Sequence, residues 1–180
     1  CASQSLPGTA STAYLYGDSL MGHLDGDRHR VLQAFIHNTV GIVDPETKTQ
    51  RFYYGNDGAG NQTLDSSFFE DPRDDHFLWP VAGVTLDAPD VVNGPVVIAF
   101  CYNIIWNASD ALGFGIAGTT IARVTQPANI EDPDTWLDAL ELIDLPGTGE
   151  HFQIGAAARV ADNSRTEDGR RMVYIAGYRD

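Results

Sequence analysis

Short apolar segments recur along the whole chain, each stopped by Gly, Asn, Asp or Pro, and none extends into a long helical period. Segments rich in Val, Ile, Tyr, Phe and Thr with such boundaries read as strands. The expected strands are Ala13–Tyr16, Ala34–Val43, Gln50–Tyr54, Leu78–Leu86, Val96–Ile105, Phe114–Arg123, Glu141–Ile143, Phe152–Val160 and Met172–Tyr178. Asp44 to Lys48 reads as a turn with Pro45 fixing φ at its start, and Asn56 to Asn61 as a looser one. Asn163 to Arg170 reads as a polar hairpin tip. Only Pro133–Leu140 reads as helical, with Asp132 placed to cap it. The fold class is therefore all-β.

Spacing narrows the architecture. Strand starts that look alike fall near Ala13, Leu78 and Phe152, 65 and 74 residues apart. The first two open clusters of three or four strands and the third opens a shorter one. That cadence fits the blades of a β-propeller with long loops better than it fits a sandwich. About two and a half blades are expected, too few to close a ring, so the chain reads as an incomplete propeller-like domain over residues 12–180. Residues 1–11 read as a flexible lead-in.

The net charge of −14 gives a surface that repels phosphate backbones, so nucleic acid is excluded as a partner. No apolar run reaches the length of a membrane-crossing helix. The two cysteines, Cys1 and Cys101, form no CxxC or Cys/His cluster for structural zinc. Cys101 lies in an apolar strand and reads as a buried thiol, although a bridge to Cys1 stays open. Cys1, followed by small polar residues, reads either as the lipidated start of a mature bacterial lipoprotein or as a fragment boundary. The first alternative implies attachment to a membrane and an extracellular or cell-envelope location. Asp65, Glu70, Asp71, Asp74 and Asp75 cluster in one acidic segment. Such carboxylates suit calcium but lack the spacing of a dedicated calcium loop, so a solvated loop is the alternative.

An ordered set of phrases carries a family resemblance. It comprises Leu15-Tyr16-Gly17-Asp18-Ser19, Phe35-Ile36-His37-Asn38-Thr39, Trp79-Pro80, Phe114-Gly115, Ile154-Gly155-Ala156-Ala157 and Val173-Tyr174-Ile175-Ala176-Gly177. In order and spacing this set resembles the five-bladed propeller proteins grouped as domain of unknown function 4185 and its relatives. Ser19 stands where the family phrase has Thr, and Thr39 where it has Ser. The resemblance implies a glycosidase-like protein, related to enzymes that act on cell-wall arabinan, secreted or lipid-anchored. Family members are longer, and this chain corresponds to their N-terminal half. Open blade edges then imply self-association. No cofactor is expected, with calcium on the propeller axis or in a loop as the alternative.

Glycoside hydrolysis uses two carboxyl groups flanking the bond. Asp18 follows a strand end and Gly17, so the backbone is free to aim it, and the resemblance puts that position at the pocket. Its expected role is general base or nucleophile; the alternative is an Asp that caps a turn. Asp87, ending another strand, is the expected second carboxylate, although Asp87 to Asp90 also reads as a plain turn. His37 and Asn38 interrupt an apolar run, and each needs polar partners there. Those partners are either a sugar's hydroxyls or neighbours in the core. Trp79 offers a ring face to a sugar or packs in the core. Trp106, Asp110, His151 and Arg159 are within the reach of a pocket without any feature that prefers them. The expected ligand is a polysaccharide or oligosaccharide. Two rivals stand beside hydrolysis: a carbohydrate-binding surface protein without catalysis, and an assembly module whose strand edges pair with another chain.

Overall fold

The computed structural model describes residues 2–56, 61–64, 66–87, 94–107, 109, 112–149, 152–165 and 171–179, with the backbone alone described at 156, 160–165, 171 and 172. Cys1, Asp65, Asp110 and His151 lie outside the described residues, as do most of the Asn56–Asn61 turn, residues 88–90 of the turn after Asp87, and the Asn163–Arg170 tip beyond residue 165.

The fold is all-β. Four strands, β1 (Ala2–Ser5), β2 (Thr12–Tyr16), β5 (Thr39–Val43) and β6 (Gln50–Tyr53), form an antiparallel sheet in the order β1-β2-β5-β6. Between β2 and β5 the chain departs into a separate two-stranded ribbon, β3 (Ser19–Leu24) paired with β4 (Arg30–Ile36). A second four-stranded meander follows in the order β10-β9-β8-β7: β7 (His76–Asp87), β8 (Pro95–Trp106), β9 (Phe114–Thr125) and β10 (Leu140–Asp144). The chain ends in a hairpin of β11 (Phe152–Arg165) and β12 (Arg171–Arg179), whose first strand packs on β7, β8 and β9. Among the described residues these sheets do not close into a barrel or ring.

One core joins the two meanders. Alternation along β2 sends Ala13 and Leu15 inward, β5 adds Val40 and Ile42, and the facing sheet supplies Leu78, Val97, Ala99, Cys101, Ala122 and Val124. Phe68, Phe69 and Trp136 plug one side of this layer, with Trp136 and Phe68 edge to face at 6.2 Å. Cys101 is free, and complete burial pushes its thiol far above the ordinary value, so it behaves as a small apolar residue.

Three expectations are corrected. The lead-in is not loose: Ala2–Ser5 pairs with β2, and Leu6 is buried in the core. An unpaired edge on β2 and an apolar Leu6 give these residues somewhere to go. The continuous strand over 34–43 is two strands with different partners, β4 on β3 and β5 on β2, broken at His37 and Asn38. The helical turn is a 3-10 helix over Pro133–Ala139, but the Asp132 side chain does not cap it. Instead the Thr135 amide and hydroxyl both donate to the Asp132 carbonyl.

Candidate functional site

The site forms where β2 ends, β4 gives way to β5, and β7 begins. Strand β7 has two working faces. Leu78 points into the core at 0% exposure, while Phe77 and Trp79, one residue to either side, lie on the opposite face. The register sets Phe77 opposite Ile104 on β8, and Trp106, two residues on, opposite Phe114 on β9. This gathers Phe77, Trp79, Trp106 and Phe114 on one surface. Trp79 meets Phe114 at a centroid distance of 5.1 Å and Phe77 at 5.9 Å. Trp106 tilts over Phe77 at 5.4 Å and keeps 54% of its surface exposed.

Asp18 and His37 are set on this aromatic wall. The Trp79 indole N–H donates to Asp18 Oδ1 at 2.7 Å. His37 Nδ1 stands 3.4 Å from the same oxygen, so Asp18 gathers both neighbours on one atom. The other carboxylate oxygen, Oδ2, has no partner among the described residues, and the side chain is 37% exposed. The His37 ring stacks on Phe77 at 3.8 Å and 18°, with the exposed Phe35 edge-on at 5.2 Å. A charged acceptor, an imidazole and two partly open indole faces therefore share one surface.

A groove of about 580 Å³ opens beside the His37–Phe77 stack. Exposed Glu70 and Asp74 line it together with His37. Its floor is fixed by Asp71, whose side chain is 1% exposed. Arg73 clamps Asp71 with two side-chain hydrogen bonds at 2.8 and 2.7 Å plus its own amide at 2.9 Å, and Asn103 donates at 2.8 Å. Burial pushes the Asp71 carboxyl up, but these donors and the Arg73 charge outweigh it and hold the carboxyl below its ordinary value. Arg73 reaches on to Asp144 at 3.0 Å. Among the described residues no group of three or more His, Cys, Asp or Glu side chains converges on a point where a metal ion would sit.

Three of the five expected site residues, Asp18, His37 and Trp79, meet here. Asn38 stands apart from solvent: it is 0% exposed, and its carboxamide donates to Phe69 O and Leu78 O at 2.9 Å each and accepts from Phe69 N at 2.6 Å. It holds the site from beneath and has no surface for a sugar. Asp87 is at the far end of β7, eight residues from Trp79, or about 26 Å along an extended strand. That separation is far beyond the roughly 5–10 Å across which two carboxyl groups share one glycosidic bond. Asp87 does not form a pair with Asp18. Trp106, within reach of a pocket by sequence but with no feature to prefer it, is a wall residue. Phe114 stood only in a family phrase and Phe77 was not singled out, although the alternation of β7 and the length of β8 carried the signal. Glu70 and Asp74 read as a solvated or calcium-binding cluster; only the folding of their loop against His37 sets them near the site.

Fold and site together define an all-β protein with an aromatic-walled surface site organised on a single carboxylate. No protein-family model, curated protein or solved structure matches the chain. The propeller-family resemblance therefore rests on its motifs alone.

Proposed function

We propose that the Asp18 surface binds carbohydrate, and that the protein is a glycan-binding member of the extracellular or cell-envelope class. The supporting observation is the union of Asp18 with partly open Trp79 and Trp106 faces. Aromatic faces take the C–H side of a sugar ring, while a carboxylate and an imidazole take its hydroxyls. A neutral ligand also suits a chain of net charge −14. In this reading the two four-stranded meanders are two propeller blades and the β11–β12 hairpin is part of a third.

Hydrolysis is the second reading, favoured by one observation: Glu70 and Asp74 line the groove that His37 also lines. Asp18 would act as general base or nucleophile, with Glu70 or Asp74 in place of Asp87 as the acid. A panel of polysaccharides including D-arabinan, scored for both binding and released reducing ends, tests both readings. Binding without release that weakens in Trp79→Ala establishes the first. Release that disappears in Asp18→Asn establishes the second. A panel that shows neither binding nor release removes carbohydrate as the ligand.

A further inference from the structure

The β3–β4 ribbon carries an apolar face that the core does not use. The register sets Leu20 opposite Phe35, Gly22 opposite Leu32, and Leu24 opposite Arg30, and directly opposed residues share a face. Leu20, Leu24, Leu32 and Phe35 are 71%, 57%, 59% and 50% exposed. Apolar side chains exposed in a continuous row mark a binding surface more often than isolated ones do. Gly22 leaves a notch between Leu20 and Leu24. A Cβ there would stand 2.1 Å from the Val31 carbonyl oxygen, so the position excludes side chains. The ribbon residues line a hollow of about 420 Å³.

This face is continuous with the carbohydrate site. Strand β3 starts at the residue after Asp18, and Phe35, at the base of the ribbon, touches His37 edge-on at 5.2 Å. One end of the surface thus offers a carboxylate, an imidazole and indoles, and the other offers leucines. The charge of −14 opposes both close approach of a second copy and an anionic lipid surface. A neutral molecule with a polar head and an apolar tail meets neither objection.

We infer that the site takes an amphiphilic glycoside, with its sugar against Asp18 and Trp79 and its alkyl or acyl chain along Leu20, Leu32 and Leu24 of the ribbon. The inference rests on the carbohydrate-binding reading and names the ligand class of that same site. Titration of the full chain with matched methyl and octyl glycosides of arabinofuranose, glucose, galactose and mannose, below the micelle concentration, tests it. The octyl member should bind at least about tenfold more tightly than its methyl partner, because several methylenes leave water. The Leu20→Ser, Leu32→Ser variant should lose that advantage and keep the methyl affinity. These side chains are exposed, so the variant keeps its core.

Equal affinity for methyl and octyl glycosides would overturn the inference and leave carbohydrate binding intact. Binding of a sugar-free octyl ether as tight as that of the octyl glycosides, with the methyl glycosides silent, would overturn both. A dimer that the serine variant abolishes, with no effect of chain length, would make the ribbon a contact between copies and overturn the inference alone.

Discussion

The Trp79 indole N–H donates to Asp18 Oδ1 at 2.7 Å across 61 positions of sequence, joining the end of β2 to the start of β7. The bond fixes the carboxylate beside the ring, and the second oxygen has no partner among the described residues. Asp18→Asn keeps an oxygen acceptor for Trp79 but removes the charge. Glycan affinity should fall about tenfold, equivalent to about 1.4 kcal/mol, while the melting temperature stays within a few degrees. Calorimetric titration paired with a thermal scan separates the two effects. A large drop in melting temperature with unchanged affinity would make the Asp18–Trp79 contact a structural tie.

Asn38 yields the opposite pattern. Its substitution by Ala strips partners from Phe69 N, Phe69 O and Leu78 O in a fully buried place. Buried groups left unpaired cost about 1–3 kcal/mol each before relaxation. Asn38→Ala should therefore lose about 3 kcal/mol in urea unfolding. The fraction that remains folded should bind glycan as the parent does.

Asp71 makes stability depend on pH with a definite sign. Its carboxyl lies below the ordinary value in the fold, so on acidification the unfolded chain takes up the proton first. The stabilisation is full above about pH 4, the ordinary carboxylate range, and is lost as pH falls through the folded value. Asp71→Asn should cost about 2 kcal/mol near neutral pH, less than a wholly buried pair because Arg73 is partly exposed. Parallel urea titrations from pH 7 to pH 2 should show the gap narrowing below pH 4. A gap that stays constant would mean that Asp71 acts through shape alone.

Gln4 is buried, and its carboxamide has no hydrogen-bond partner among the described residues. Gln4→Met keeps the length of the side chain and removes the unpaired atoms. Stability should rise by about 1 kcal/mol, readable as a higher denaturant midpoint with unchanged slope.

Gly155 crosses the face of β8 at φ +102°, where an added Cβ would stand 2.6 Å from Phe100 Cβ. Both the backbone angle and the contact oppose a side chain. Gly155→Ala should destabilise by about 2 kcal/mol, seen as earlier unfolding in a thermal scan. An unchanged midpoint would show that the β11–β12 hairpin is not held against β8 in solution.

Alternation and turn residues by themselves determined that this chain is all-β. They located β2, β6 to β10 and β12 closely, because each is an apolar run between residues that stop strands. They ran β5 together with the end of β4, however, and ended β11 at Val160, five residues short of Arg165. They also picked out Asp18, His37 and Trp79, since a carboxylate after a Gly, a polar break in an apolar run and a Trp beside a Pro are local signals. Ala2–Ser5 and Ser19–Leu24 escaped detection because neither has a bounded apolar run; each is a strand only because a partner supplies its hydrogen bonds. Tertiary structure decided what the signals meant. Pairing across β7, β8 and β9 built the aromatic wall, and the Phe68–Phe69 loop claimed Asn38 for the interior. The length of β7 carried Asp87 away from Asp18. Each outcome depends on which distant backbone a residue meets, and contacts across tens of positions leave no local pattern to read.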